Sequence, residues 1–379
     1  MSASTLAQLA LMGLVIAALP LSLLWLAQGA NKFARLCQVT LFMTFDLIIF
    51  GGFTRLTDSG LGCPDWPGCY GQANPLQAQA DIHSAQLAMP TGPVTITKAW
   101  IEMLHRYLAT SVGVLIVAMV VIAWIYWLKS ARRARAFDPR LPMVLLGAVC
   151  LQGAFGAFTV TMKLQPVIVT GHLLLAMTLL ALLAWQSARQ GVASTVSHAA
   201  TGLRTPALIA AVVLTLQIAL GGWVSTNYAA LACTDFPLCQ GVWVPPMDFA
   251  NGFTLWRKLG MTANGSYLPF DALTAIHVTH RTFALVVALV LGWVAWRARS
   301  IDGMQRLSKA LAGALTLQIA TGLATVYLEW PLALAVLHNA GAAVLVTLVA
   351  MLNYKARSAP AIAAHFATRT PAGVFQPIE

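Results

Sequence analysis

Nine stretches of apolar residues dominate this chain, at positions 6–28, 35–56, 98–128, 141–161, 167–188, 206–225, 271–296, 307–327 and 331–354. Each is close to the roughly 20 residues that a helix needs to cross the hydrocarbon core of a bilayer. Lipid offers no partner to an open N–H or C=O, so a spanning segment must satisfy its own backbone as a helix or join a closed barrel. Runs this long and this uniformly apolar fit the helix. Composition agrees: 9% of residues are charged and 59% hydrophobic, whereas a soluble domain carries charge on about a quarter of its positions. The expected fold is an all-α integral membrane protein.

Orientation is read from where Lys and Arg collect. Lys129, Arg132, Arg133, Arg135 and Arg140 crowd one connection, Arg297, Arg299 and Arg306 another, and Lys355 and Arg357 follow the last span. Arg189 and Arg204 flank the connection after the fifth span, and Lys32 and Arg35 lie between the first two. A nine-span path puts all of these on one side, which the positive-inside rule makes cytoplasmic. The N-terminus is then outside and the C-terminus inside. The net charge of +11 thus reads as topology and contact with the lipid bilayer, not as nucleic-acid binding. Met1–Gln8 carries no positive charge and no cleavage site follows, so the first span reads as a retained helix rather than a signal peptide.

The chain repeats internally. Gly51-Gly52-Phe53-Thr54-Arg55 closes the second span, and Gly221-Gly222-Trp223-Val224-Ser225 closes the sixth. Eleven residues after the second glycine of each pair come Cys63-Pro-Asp65-Trp-Pro67-Gly-Cys69 and Cys233-Thr-Asp235-Phe-Pro237-Leu-Cys239. His105-Arg106 answers His280-Arg281, and the twenty residues from Gln152 to His172 match the twenty from Gln318 to His338. This predicts two pseudo-symmetric four-helix bundles in tandem, 35–200 and 201–357. An extra N-terminal transmembrane helix (1–34) precedes them and a tail (358–379) follows. Parallel repeats of this kind are related by an axis along the membrane normal, and two similar sites are the consequence.

His105, His172, His280 and His338 fall on the third, fifth, seventh and ninth spans, roughly 9–14 Å below the outer surface at 1.5 Å per residue. Ionisable residues at that depth are costly and mark function. Paired imidazoles on facing helices of a bundle suit haem iron. Zinc would want clustered thiolates or carboxylates. A single such histidine would read as a polar packing residue; four matched by a repeat read as ligands. Arg106, Arg281 and Arg55 have two readings, as partners of haem propionates or as cations reaching the outer interface. The halves differ at Glu102, three residues before His105, where the second half has His277. A carboxylate beside one site alone suggests that the first half does chemistry and the second keeps a permanent cofactor. His277 is a rival ligand to His280, with the His-Arg match favouring His280.

Cys63 and Cys69, and Cys233 and Cys239, lie in the outer segments 57–97 and 226–270, where disulfides are permitted. Their spacing suits short closed loops over a haem edge, with a redox role for the first pair as the alternative. Cys37 and Cys150 fall within spans and read as packing residues. Asp46, in the middle of the second span, has no assigned role.

Taken together, residues 51–69, Glu102-Met-Leu-His105-Arg106, Gly171-His172, His280-Arg281 and Leu337-His338-Asn339 closely resemble haem A synthases, over about residues 35–355. The resemblance implies an oxidoreductase that converts the C8 methyl of haem O to a formyl group for terminal oxidase biogenesis. It implies substrate haem O on His105 and His172 with Glu102 needed for chemistry, and resident haem b on His280 and His338. It implies the family subtype with a disulfide-forming pair in each half, in a bacterial cytoplasmic membrane with the cysteine loops periplasmic. Partners would be a haem O synthase, oxidase assembly factors and an electron acceptor that no flavin or nicotinamide motif identifies. The family usually has eight spans, so the first helix is a departure. The residues alone are equally compatible with a dihaem b-type electron-transfer cytochrome, or with a haem carrier that does no chemistry.

Overall fold

The computed structural model describes residues 3–26, 31–132, 135–191 and 196–367. Arg133 of the basic connection, the first two residues and the tail from 368 onward lie outside the described residues. Among the described residues, nine helices are long and apolar enough to span a membrane. They are α1 (Ala3–Leu26), α2 (Lys32–Leu56), α4 (Ile96–Lys129), α5 (Arg140–Thr161), α6 (Pro166–Gln190), α7 (Arg204–Thr226), α9 (Phe270–Ala298), α10 (Gln305–Tyr327) and α11 (Leu332–Ala367). Short helices α3 (Gln79–Ala88) and α8 (Phe249–Gly252) lie in the two long connections, between α2 and α4 and between α7 and α9. All nine expected spans are present, with ends displaced by a few residues where capping decides them. Asn31 accepts from the Ala34 N–H and Thr95 from the Lys98 N–H, starting α2 and α4 earlier than hydropathy indicated. Helix α11 continues to Ala367, past the point where the tail was expected to begin.

Helix α2 packs on α4, α4 on α5, α5 on α6 and α6 back on α2, closing a four-helix ring. Helices α7, α9, α10 and α11 close a second ring in the same order. Within each ring the histidine-bearing helices, α4 with α6 and α9 with α11, stand diagonally across the centre. The rings meet where α6 packs on α11, and where α6 meets α7 just as α11 meets α2. Two pairs of repeat-equivalent residues touch each other just at and beyond the C-terminal ends of α2 and α7. Arg55 donates to the Ser225 carbonyl at 2.7 Å, and the Tyr228 hydroxyl donates to Asp58 at 2.6 Å. Equivalent residues can meet only at a pseudo-two-fold axis, so that axis runs between α6 and α11 and leaves the molecule there.

The repeat extends to backbone detail. The turns after α5 and α10 each place two consecutive residues in the left-handed region, Lys163 and Leu164 in one and Glu329 and Trp330 in the other. Each turn is closed by a matching hydrogen bond, Leu164 N–H to Thr159 and Trp330 N–H to Thr325, both 2.8 Å.

Helix α1 has no repeat mate. It lies along α4, where Gly13 abuts Thr110 so tightly that a Cβ would fall 2.4 Å from a threonine methyl. At its outer end the Thr5 hydroxyl donates to the Gly71 carbonyl at 3.0 Å, tying it to the first cysteine loop. Asp46, in the middle of α2, is exposed.

Candidate functional site

Each of the four histidines rests against a glycine on the adjacent helix. A Cβ at Gly51 would lie 2.9 Å from His105 Cε1; the distances are 3.2 Å for Gly156 and His172, and 3.0 Å for Gly221 and His280 and for Gly322 and His338. Glycine lets the imidazole turn flat against the neighbouring backbone and project into the ring of helices. The rings keep accessible surface, while His277 is buried.

Three glutamines reach the ring nitrogens. Gln152 Nε2 lies 3.4 Å from His172 Nε2, Gln318 Nε2 lies 3.2 Å from His338 Nε2, and Gln217 Nε2 lies 3.2 Å from His280 Nδ1. Sequence reading used Gln152 and Gln318 only as markers of the repeat and missed their contact with histidine. The signal was present as a glutamine followed four residues later by glycine, at Gln152/Gly156 and Gln318/Gly322. Buried polar atoms are normally paired, yet His105 Nδ1, His172 Nδ1 and the side-chain oxygens of all three glutamines have no hydrogen-bond partner. Imidazoles on diagonal helices, each ring seated on a glycine and projecting into its ring of helices, fit haem iron. Among the described residues no cluster of His, Cys, Asp or Glu suits a bare metal ion.

Above each pair sits a disulfide-closed loop, Cys63–Cys69 and Cys233–Cys239. Asp65 accepts from the Tyr70 and Gly71 N–H groups at 2.6 and 2.7 Å, and Asp235 accepts from those of Gln240 and Gly241, both at 2.8 Å. The donors from Gly241 and then Gln240 hold the Asp235 carboxyl below its ordinary range. Each loop is also gripped from its helix. Arg106 donates to the carbonyls of Asp65, Pro67 and Gly68, and Arg281 to those of Asp235 and Leu238. Two of the three arginines offered to propionates in the sequence reading are thus engaged by loop carbonyls, although Arg281 keeps one buried nitrogen without a partner. Arg55 is engaged with Asp58, Tyr228 and Ser225 between the halves.

The asymmetry at Glu102 has a structural basis. Glu102 is 4% exposed, pairs with Arg106, and accepts the Cys63 N–H at 2.8 Å. That contact depends on Gly62, whose missing Cβ would fall 2.4 Å from the backbone of Lys98. The equivalent position in the second half is Ala232, so the second loop cannot press on its helix in the same way. There His277 Nδ1 lies 3.0 Å from the Ala229 carbonyl, and Gln240 donates to Thr274 at 2.9 Å. His277 therefore anchors the loop, and His280 is the residue seated on glycine.

Fold and site together define a polytopic helical membrane protein with two matched histidine pairs, each accompanied by a disulfide-closed loop. The cytochrome oxidase assembly protein family model matches residues 34–350, and the chain belongs to that family. Its relatives include a protein named haem A synthase in Shewanella oneidensis, 38% identical over 84% of this chain and 95% of its own length. Proteins of the same name from Caulobacter vibrioides (31% identity, 83% of this chain and 93% of the relative) and Methylobacterium sp. strain 4-46 (30%, 77% and 83%) are also similar. The matched region begins after α1.

Proposed function

We propose that this chain is a haem A synthase that oxidises the C8 methyl of haem O to a formyl group. Substrate haem O is held by His105 and His172, and resident haem b by His280 and His338. The observation that carries this reading is a duplicated, glycine-seated histidine pair with a buried carboxylate, Glu102, beside only one copy. The name shared by the relatives supports it.

When bound, haem iron supplies the redox chemistry; the protein supplies placement and proton handling. Gly51 and Gly156 let the two imidazoles face across the first ring. Glu102 is the proton acceptor as alcohol becomes aldehyde, with Arg106 balancing its charge. Cys63–Cys69 closes the loop that Glu102 and Arg106 hold down over the site. Arg281, with one free buried nitrogen, is a propionate partner in the second half. Residues 35–200 then form the substrate half and 201–357 the resident half. The electrons pass to an acceptor outside the chain, and haem O synthase and oxidase assembly factors are the expected partners. The proposed setting is a bacterial cytoplasmic membrane, and the basic connections support an orientation with the N-terminus outside, the C-terminus inside and the cysteine loops periplasmic.

The test is extraction of haems from membranes that express this chain beside a haem O synthase, resolved by reversed-phase chromatography and mass spectrometry. Haem A should appear, and should be absent with His105→Ala. Haem O and haem b alone, from a folded and haem-loaded protein, would refute the proposal in favour of a cytochrome or a carrier.

A further inference from the structure

A resident haem and a substrate haem make opposite demands on nearly identical histidine pairs. One must stay for the life of the protein, and the other must leave after each reaction. The second nitrogen of each imidazole distinguishes the halves. A ligating histidine is normally held by a hydrogen bond from its other ring N–H, which fixes tautomer and orientation and makes the ligand more basic.

In the second half, His338 Nδ1 lies 3.0 Å from Thr321 Oγ1, and the Thr321 hydroxyl donates to the Gln318 carbonyl at 3.0 Å. With its single proton on that carbonyl, Thr321 Oγ1 offers a lone pair to His338 Nδ1. That arrangement puts the imidazole proton on Nδ1 and leaves the Nε2 lone pair, which the Gln318 amide nitrogen faces at 3.2 Å, for iron. His280 Nδ1 faces the Gln217 amide nitrogen, a donor rather than an acceptor, so the acceptor in this half is at His338. In the first half both Nδ1 atoms, those of His105 and His172, are buried without a partner. The repeat explains why. Counting from the matched glycines, Phe155 stands where the second half has Thr321, and Leu47 where it has Gln217. Phe155 turns its ring onto Gly171 and offers no acceptor.

We propose that Thr321 is the positioning residue that makes the second half a permanent haem site, by accepting the Nδ1 proton of His338. The apolar Phe155 at the equivalent place leaves His172 a weaker ligand, suited to a haem that must be released. This rests on the ligand assignments proposed above, and the test separates the two.

The full-length protein, purified in detergent from cells without haem O synthase, carries haem b only. Transfer of that haem to excess apomyoglobin is followed by absorbance. Two phases are expected, the fast one abolished by His105→Ala and the slow one by His338→Ala. Thr321→Val, which keeps the shape of threonine and removes the acceptor, should accelerate the slow phase by about 10–100-fold. The same change should move the potential of the slow-phase haem to more positive values, because a less basic ligand favours ferric iron less. Thr321→Ser, which keeps the hydroxyl, should behave as wild type in both readouts. An unchanged rate and potential in Thr321→Val would overturn the role of Thr321, as would equal acceleration in Thr321→Ser, which would indicate packing alone. A slow phase that survives His338→Ala would instead overturn the ligand assignment itself.

Discussion

Replacing Glu102 with glutamine separates proton handling from loop support. The side chain is 4% exposed, one oxygen accepts the Cys63 N–H at 2.8 Å, and the other pairs with Arg106. An amide oxygen can still accept from Cys63, but the amide cannot take a proton and no longer balances Arg106. The arginine keeps its carbonyl partners at Asp65, Pro67 and Gly68. The stability cost is therefore that of a charged hydrogen bond, about 1.5–3 kcal/mol, rather than the roughly 3–5 kcal/mol of stranding one member of a buried ion pair. Loss of the proton acceptor should slow formyl formation by about 10²–10⁴-fold. Haem A per unit protein is measured by extraction, with haem occupancy of each half and the melting temperature in detergent measured alongside. The comparison variant is Arg106→Lys, which loses the forked grip on the loop but keeps a positive charge beside the carboxylate. Glu102→Gln should retain both haems and make almost no haem A, while Arg106→Lys should melt earlier and still make product. Wild-type production by Glu102→Gln would refute the role. So would equal failure of both variants, because the carboxylate would then act only by holding the loop.

Gly51→Ala should lower haem occupancy of the first half, since a Cβ there would stand 2.9 Å from His105 Cε1; Gly113→Ala, with nothing within 4 Å, is the control, and haem per protein reads both. Asp235 has its folded pKa depressed, so its contribution to loop stability is present above the ordinary value of 3.8 and is lost as pH falls through the lower folded value. Amide-exchange protection of Gln240 and Gly241 should accordingly persist through neutral pH and fade only in that acidic window. Deleting residues 1–30 removes the Thr5 contact with Gly71 and the seating of Gly13 on Thr110. Haem content should survive, because the family match begins at residue 34, while amide exchange around Gly68–Ala73 should rise.

The spans, the repeat and the four histidines were legible because each leaves a mark in one dimension: apolar length, a fixed offset, a costly ion at a set depth. The partners of the arginines were not. Arg106 and Arg281 meet backbone carbonyls, which every residue carries, so no pattern of side-chain types announces the contact. The glycine seats were half-visible. Gly51 and Gly221 stood in the repeat, but nothing in the sequence says that a ring will lie against them until α2 and α4 are packed. Thr321 was hidden for a different reason. Threonines are frequent in these helices and most bond their own chain, as Thr40 does to Leu36 and Thr44 to Thr40. Only the fold shows that the Thr321 hydroxyl also meets an imidazole.

Repeat-equivalent residues that meet at the axis, Arg55 with Ser225 and Asp58 with Tyr228, are free to differ, because one contact there serves both halves at once. Differences away from the axis are another matter. Gly62 against Ala232, Glu102 against His277, and Phe155 against Thr321 each sit within one ring, and each alters a contact with a histidine helix or its loop. The first of these lets the first loop drop onto α4, the second fills the contact so made with a carboxylate, and the third removes a support from the histidine opposite. Under the proposed function these changes give the first half a proton acceptor and less firmly held ligands. Their counterparts give the second half a loop anchored through His277 instead of a carboxylate and, under the proposal above, a braced ligand. A cytochrome that only relays electrons through two equivalent haems gains nothing from that division, whereas an enzyme that uses one haem to modify another requires it.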